Sequence, residues 1–196
     1  MLFVNKVQRA LSRYIFIPIN VKLTIFIFDI RNFMFGFTNS NKMLERISKP
    51  SVIPILRRYG ATIGEDCDIE TGLTFHNCID YSNLIIGYNC HIGKNCFLDL
   101  KGKILIGNNV VISMKTTIIT HMDLTKSRLS KLYPVCIKDV IIYKNCYIGA
   151  SATILSGSII HEFSIIAAGS VITKDVLPYT LVGGVPAKII KNINGI

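Results

Sequence analysis

The chain has 196 residues, which is enough for one domain with a small N-terminal addition. Half of its residues are hydrophobic, and 22 Lys and Arg against 12 Asp and Glu give a formal net charge of +10. This basic excess favours an anionic partner such as a phosphate-bearing cofactor. Because the basic residues are scattered along the chain, the composition disfavours nucleic acid as that partner. Abundant Ile, Val and Asn predict β structure.

Residues 1–58 show no six-residue periodicity, and we predict a helical segment that caps the domain and packs between subunits. Within it the stretch "YIFIPINVKLTIFIF" (14–28) is strongly apolar, but a proline, an asparagine and a lysine interrupt it. An uninterrupted membrane span needs about 20 apolar residues, so no transmembrane helix is predicted. The alternative is an anchor at an anionic membrane surface, in which basic residues flank the aromatic ones: Lys6, Arg9 and Arg13.

Beyond residue 59, aliphatic residues recur every six positions. A two-residue insertion within "LDLKGKILIG" and a long step between Ile118 and Ile142 interrupt the series. A six-residue period fits a short strand followed by a turn, so three repeats complete one triangular coil. The aliphatic residues then fill the interior of stacked coils. These phase positions are Ile86, Ile92, Leu98, Ile106, Ile112, Ile118, Ile142, Ile148, Ile154, Ile160, Ile166 and Ile172.

Six cysteines occur without a CxxC pair, and four of them follow an asparagine, at 77–78, 89–90, 95–96 and 145–146. Five cysteines share one position of the repeat, which predicts small buried side chains and disfavours disulfides or metal ligands: Cys67, Cys78, Cys90, Cys96 and Cys146. The asparagines are placed at turns, where Asn tolerates a left-handed backbone. The role of Cys136 stays open. With no secretory cleavage site, a cytoplasmic chain is predicted.

The regular pattern stops at "IITHMD" (118–123), and only four histidines occur in the chain. A basic segment, 124–136, follows and is predicted to project from the coils. The domains are therefore predicted as a helical segment 1–58, a coiled domain 59–191 and a tail 192–196.

The motifs "IGKNCF", "IGNNVV", "IGASAT" and "AAGSVITKDVLPYTLVGGVPAKII" resemble the hexapeptide-repeat acyltransferases. That family includes galactoside, maltose and serine acetyltransferases and the O-acetyltransferases of bacterial surface polysaccharides. The resemblance covers residues 60–191. It implies an all-β fold, a left-handed parallel β-helix of hexapeptide repeats, assembled as a homotrimer with active sites between subunits. It also implies acetyl-coenzyme A as acyl donor, no metal and one histidine as general base.

The position of that base matches His121, although "THMD" is one residue shorter than the Thr-His-x-His-Asp pattern of the surface-polysaccharide enzymes. A neutral imidazole can take the proton of an attacking hydroxyl near pH 7. Asp123 lies two residues further along an extended segment, so we expect it to share a face with His121 and to orient the imidazole. No Ser or Cys occupies a nucleophile motif, which predicts direct transfer without an acyl-enzyme.

The resemblance also implies where the cofactor binds. Small residues let the pantetheine arm approach the backbone: Ala150, Ser151 and Ala168. Thr173 and Lys174 are expected near the adenine, and Lys188 and Lys191 are expected to face the phosphates. His76, in "LTFHNC", is predicted to line the acceptor pocket.

The predicted activity is acetyl-coenzyme A-dependent O-acetylation of a carbohydrate hydroxyl, in polysaccharide, lipid-linked sugar or sugar nucleotide. The resemblance of "NCFLDLKGKILIG" to the surface-polysaccharide subgroup favours a sugar over serine. N-acetylation of an amino sugar and a serine-type or small-molecule acetyltransferase are alternatives. Two other classes are a zinc carbonic anhydrase, whose only candidate ligands are His76, His91 and His121, and a non-catalytic repeat scaffold. The cytoplasm is the predicted location, with the inner face of the membrane as an option.

Overall fold

The computed structural model describes residues 15–193, which form a short helical segment followed by a β-helix. The helical segment comprises α1 (Ile17–Phe35), α2 (Phe37–Asn41), a 3-10 turn (Lys42–Glu45) and α3 (Lys49–Arg58). The N-terminal region is predicted to be helical, and the described part of it is helical. Lys6, Arg9 and Arg13, invoked for a membrane anchor, lie outside the described residues.

Helix α3 covers the first coil of the β-helix. Val52, Ile55 and Leu56 on this helix are fully buried. The Arg57 guanidinium donates hydrogen bonds of 2.9 Å to the backbone carbonyl oxygens of Ile63 and Gly64. An uncovered first coil would present unpaired strand edges to other chains, so this contact closes one end of the stack.

Helix α1 is held against α3 by one buried ring and one carboxylate. Phe28 is fully buried, with its ring 4.7 Å from that of Tyr59. Asp29 accepts two hydrogen bonds from Arg58, at 2.9 and 2.8 Å, and a third from the Tyr59 hydroxyl at 2.7 Å. Partial burial would raise the pKa of Asp29, but these donors outweigh it and lower the pKa below its ordinary value. In the described part of the chain, no helix has the length and apolar content to cross a bilayer.

Each coil contributes one strand to each of three parallel sheets. The first three coils contain β1 (Thr62–Ile63), β2 (Asp68–Ile69), β3 (Thr74–His76), β4 (Leu84–Ile86), β5 (His91–Ile92), β6 (Phe97–Asp99), β7 (Ile104–Ile106), β8 (Val111–Ile112) and β9 (Thr117–Ile118). A projecting hairpin follows, with β10 (His121–Met122) antiparallel to β11 (Cys136–Ile137). The later strands are β12 (Val140–Ile142), β13 (Tyr147–Ile148), β14 (Thr153–Ile154), β15 (Ile159–Ile160), β16 (Ile165–Ile166), β17 (Val171–Ile172), β18 (Thr180–Gly184) and β19 (Ala187–Asn192).

We name the three faces by their strands. Face A has the order β1-β4-β7-β12-β15, face B has β2-β5-β8-β13-β16-β18, and face C has β3-β6-β9-β14-β17. Strand β19 folds back antiparallel on β18 and covers the free edge of face B. The segment predicted to project, 124–136, contains a 3-10 turn at Arg128–Lys131 and ends in β11.

The aliphatic residues at the predicted phase positions point into the prism. Each is at most 3 % exposed, and they pair in register from coil to coil, as Ile142 does with Ile106 and Ile160. The prediction that this position fills the interior is therefore confirmed. The glycine after an inward isoleucine also has a packing role: a Cβ on Gly149 would lie 2.5 Å from the backbone nitrogen of Ala168 on the next coil.

The turns between strands require left-handed backbone at fixed positions. The four asparagines that precede cysteines all adopt it, with φ of 53° at Asn77, 51° at Asn89, 59° at Asn95 and 59° at Asn145. This confirms the prediction for the Asn-Cys pairs. All six cysteines are free; Cys90, Cys96 and Cys146 are buried, and the others are partly buried.

Replacing Asn145 by alanine should destabilise the protein, because a Cβ-bearing residue without a polar group costs about 1–2 kcal/mol in the left-handed region. Asn145→Gly should be close to neutral, since glycine adopts positive φ without steric cost. Chemical denaturation of both variants beside the wild type measures the difference. Equal destabilisation by alanine and glycine would show that the backbone conformation does not determine the choice of asparagine.

Candidate active site

The edge where faces C and A meet carries a polar cluster built from three successive coils. Asn77 follows β3, Asp99 ends β6 and His121 begins the hairpin after β9. Parallel register pairs His76 with Asp99 and Leu98 with Ile118, so residues far apart in sequence lie next to one another on this edge.

The imidazole of His121 is bound to the carboxylate of Asp99. Nδ1 of His121 lies 2.6 Å from Oδ2 of Asp99. The Asp99 side chain is 1 % exposed and that of His121 is 23 % exposed. Because a carboxylate only accepts, this contact assigns the proton of a neutral imidazole to Nδ1 and leaves a lone pair on Nε2.

Asp99 is surrounded by further donors. Its Oδ2 accepts from the backbone N–H of Thr120 at 2.9 Å, and its Oδ1 accepts from Nδ2 of Asn77 at 3.1 Å. Burial alone would raise the pKa of Asp99, but the hydrogen bonds from His121, Thr120 and Asn77 outweigh it and hold the pKa below the ordinary value. Asp99 therefore remains an anion beside the imidazole at neutral pH.

Asn77 links the other two side chains. Its Nδ2 also lies 3.2 Å from Nε2 of His121. The left-handed turn that this asparagine forms thus also aims its amide at the imidazole. A hydroxyl that approaches Nε2 would replace this amide contact.

Asp123, which the sequence analysis predicts to orient His121, makes a different contact in the structure. Its Oδ1 accepts from the backbone N–H of Thr125 at 2.8 Å, and the side chain is exposed. The hydrogen bonds from Thr125, with a smaller effect of His121, lower its pKa. The chain turns at Asp123 into the projecting loop, whereas coil stacking places Asp99 beside the imidazole. A signal for Asp99 was available, since this carboxylate directly follows the inward Leu98 at the start of the two-residue insertion.

His76 lies beside this cluster, as expected for a pocket residue. Its Nδ1 is 3.9 Å from Oδ1 of Asp99. It lines a cavity of about 470 Å³ between the helical segment and the edge where faces C and A meet. Asn41, Lys42, Asn77 and Lys101 line the same cavity. Asn77, predicted only as a turn residue and not as a site residue, therefore contacts His121 and also lines this cavity.

The residues predicted to bind coenzyme A fall in two other places. Ala150, Ser151 and Ala168 lie on adjacent coils at the edge between faces B and C, where Gly169 N–H donates to the Ala150 carbonyl at 2.9 Å. Thr173, Lys174 and Lys188 surround a cavity of about 170 Å³ at the C-terminal end. Lys191 lies on β19 opposite Leu181. Face C separates the small-residue edge from His121, so one chain does not bring the two together.

The three histidines considered as zinc ligands do not converge. His91 lies on face B, where its Nδ1 is 3.1 Å from Oδ2 of Asp68, while His76 and His121 lie at the edge of faces C and A. Across residues 15–193 no group of three or more His, Cys, Asp or Glu side chains is placed to hold a metal ion. The remaining histidine, His161, stacks on Tyr143 with ring centroids 5.4 Å apart.

Asp99→Asn should lower the free energy of unfolding at neutral pH by about 1–3 kcal/mol, because buried donors lose an anionic acceptor. The pKa of Asp99 is lower in the folded state than in the unfolded state. Its ionised side chain therefore adds to the free energy of unfolding above the unfolded-state pKa of about 3.9, and this stabilisation is lost as the pH falls through the folded-state pKa. The stability difference between wild type and variant, measured by denaturation at several pH values, should therefore shrink below about pH 4. A difference that is constant down to acid would contradict an ionised Asp99.

Comparisons with known proteins place this chain in a family. The model described as "Bacterial transferase hexapeptide (six repeats)" matches residues 139–174, and "Hexapeptide repeat of succinyl-transferase" matches residues 83–118. The galactoside O-acetyltransferase of Escherichia coli (strain K12) is 30% identical over 151 residues, which cover 71% of this chain and 68% of that enzyme. The galactoside O-acetyltransferase of Lactococcus lactis is 28% identical over 158 residues, covering 78% and 75%.

Solved structures show the same fold. A hexapeptide-repeat acetyltransferase from Vibrio cholerae superimposes with a TM-score of 0.70 at 23% identity, covering 89% of this chain and 93% of that one. A maltose O-acetyltransferase from Clostridium difficile 630 gives a TM-score of 0.51 at 25% identity, covering 94% and 91%. The predicted left-handed parallel β-helix with a short N-terminal helical segment is thereby confirmed, and it has about six turns. The predicted resemblance is confirmed too: this chain belongs to the hexapeptide-repeat acetyltransferase family.

Proposed function

We propose that the protein transfers an acetyl group from acetyl-coenzyme A to a carbohydrate hydroxyl, with His121 as general base. The observation that carries this proposal is the hydrogen bond between Nδ1 of His121 and the buried carboxylate of Asp99, beside a cavity open to an acceptor. The two galactoside relatives and the maltose O-acetyltransferase support a sugar hydroxyl as the acceptor. The likeness of "NCFLDLKGKILIG" to surface-polysaccharide enzymes supports a sugar of such a polysaccharide.

The cluster provides a route for one proton. As the acceptor oxygen forms a bond to the acetyl carbon, Nε2 of His121 takes the hydroxyl proton and the imidazole becomes a cation. Asp99, already ionised and bound to Nδ1, stabilises that cation and keeps the ring oriented. The same proton then passes from Nε2 to the sulfur of the departing coenzyme A as the carbon–sulfur bond breaks. Asp99 serves as a positioning residue throughout, and Asp123 has no part in the step.

The donor binds along the edge between faces B and C and the C-terminal end of the β-helix. Ala150, Ser151 and Ala168 leave the backbone accessible to the pantetheine arm. Thr173 and Lys174 lie near the adenine end, and Lys188 and Lys191 supply charge for the phosphates. When bound, acetyl-coenzyme A supplies the activated thioester. These residues fit the donor because small side chains leave room for an extended arm and lysines offer charge to its phosphates.

A homotrimer would bring donor and base together. His121 and the small residues predicted to bind the donor lie on different edges of one prism. In a trimer, the small-residue edge of one subunit can lie opposite His121 of its neighbour. Face A, which borders His121, carries an outward ladder of partly exposed apolar residues suited to such a contact: Ile85, Leu105, Ile141 and Ile159. We propose that this ladder is covered by another subunit.

His121→Ala should lower kcat for acetyl transfer to a sugar acceptor by about 10²–10⁴-fold, the usual contribution of a general base. Asp99→Asn should cause a loss in the same range, since the ring loses its orientation and its cation loses a partner. Asp123→Asn is the matched control, and its kcat should equal that of the wild type. The assay follows thiol release from acetyl-coenzyme A with a panel of neutral sugars and amino sugars. Wild-type turnover by His121→Ala, or activity confined to amino sugars, would contradict the proposal.

Lys188→Gln should raise KM for acetyl-coenzyme A by about tenfold, because a charged hydrogen bond to phosphate contributes about 1.5–3 kcal/mol. Acetyl-pantetheine lacks the nucleotide phosphates, so its KM should be the same in wild type and variant. Steady-state kinetics with both donors measures the two KM values and so distinguishes a phosphate contact of Lys188 from a contact elsewhere on the donor. An equal rise for both donors would place Lys188 outside the phosphate site.

A further inference from the structure

The cavity beside His121 continues toward the helical segment. A second cavity of about 600 Å³ is lined by Arg31, Lys42, Met43, Glu45, Arg46 and Ile47. Lys42 and Glu45 also line the cavity that reaches His76, Asn77 and Lys101. The two cavities therefore lie next to each other and share lining residues.

The second cavity is rich in positive charge. Arg31, Lys42 and Arg46 are exposed, and none forms an ion pair with any residue between 15 and 193. The Nε of Arg31 donates to the Asn39 carbonyl at 3.3 Å, which restrains the guanidinium. Glu45, the carboxylate of the lining, accepts from the Thr74 hydroxyl at 3.2 Å. Three cations around one carboxylate form a site for an anionic group with several oxygens, such as a phosphate.

The helical segment that supplies these cations also exposes an apolar surface. Helix α1, which carries Arg31, packs through Phe28 and exposes large apolar side chains on the opposite side, with Phe33 92 % exposed. Their three- and four-residue spacing places them on one face: Ile19, Leu23, Phe26, Ile30 and Phe33. An exposed apolar face of this kind marks a binding surface for a partner or a lipid.

We propose that the acceptor sugar is carried on a lipid through a phosphate or diphosphate group. The inference rests on the proposed acetyl transfer and adds the class of acceptor. Arg31, Lys42 and Arg46 bind the phosphates, the lipid chain lies on the apolar face of α1, and the sugar reaches Nε2 of His121 through the cavity lined by His76. A nucleotide would use the cations but leave the apolar face in water, and a second copy of the chain would cover that face without using the cations.

Inhibition kinetics on the full-length protein test this proposal, with a neutral sugar from the panel as acceptor. The probes are farnesyl diphosphate, uridine diphosphate and inorganic diphosphate, each titrated against the sugar and against acetyl-coenzyme A. Farnesyl diphosphate should compete with the sugar, with an inhibition constant about tenfold or more below those of the other two probes.

Lys42→Gln and Arg46→Gln should each weaken farnesyl diphosphate inhibition about tenfold. Phe26→Gln should bring the inhibition constant of farnesyl diphosphate closer to that of inorganic diphosphate. Lys144→Gln is the matched control, because Lys144 is an exposed lysine at the turn between faces A and B. It should leave the inhibition constants of farnesyl diphosphate and inorganic diphosphate unchanged.

Two results would overturn the proposal. Equal inhibition by uridine diphosphate and farnesyl diphosphate would exclude the lipid. Competition of all three probes with acetyl-coenzyme A alone would assign their binding to the donor site. In both cases the neutral sugar is still acetylated, so the proposed function survives; loss of the proposed function is instead seen as the absence of transfer to every sugar in the panel.

Discussion

The inward ladder of aliphatic side chains fixes the position of every other residue in the β-helix. Each buried isoleucine contributes about 1.5–3 kcal/mol of hydrophobic stabilisation, and a slip of one residue would turn it toward solvent. Parallel hydrogen bonds between coils then set one register, as between Ile106, Ile142 and Ile160. Because the interior tolerates no other register, a polar residue just beyond a phase position of face C reaches the edge where faces C and A meet.

The polar cluster of Asn77, Asp99 and His121 is a consequence of that constraint. Asn77, Asp99 and His121 each lie at or just beyond the end of a face C strand, on three successive coils. The scaffold places them without a flexible loop between them, so the carboxylate is oriented before an acceptor arrives. The projecting hairpin starts at His121, whose side chain is partly exposed while that of Asp99 remains buried. The helical segment closes the first coil and also supplies one wall of that cavity.

The periodic part of the fold could be predicted from the sequence because each coil repeats the same local choices. The isoleucine phase and the left-handed asparagines such as Asn145 require no knowledge of distant residues. The partner of His121 could not be predicted in the same way, because Asp99 belongs to another coil and the coils are unequal. Leu98 pairs with Phe75, 23 positions earlier, and with Ile118, 20 positions later, whereas regular repeats give 18. Proximity in sequence favoured Asp123, whereas in the structure Asp99 forms the contact with the His121 ring.

The orientation of His121 by Asp99 is tested most directly by ¹⁵N NMR of histidine-labelled protein at about pH 8, with His121→Gln to assign the signal. The structure predicts a neutral His121 ring with its proton on Nδ1 and an unprotonated Nε2, and it predicts that Asp99→Asn alters this distribution. The same signal in Asp123→Asn should be unchanged. A proton on Nε2 in the wild type, or a spectrum insensitive to Asp99→Asn, would contradict the assignment of His121 as a base held by Asp99.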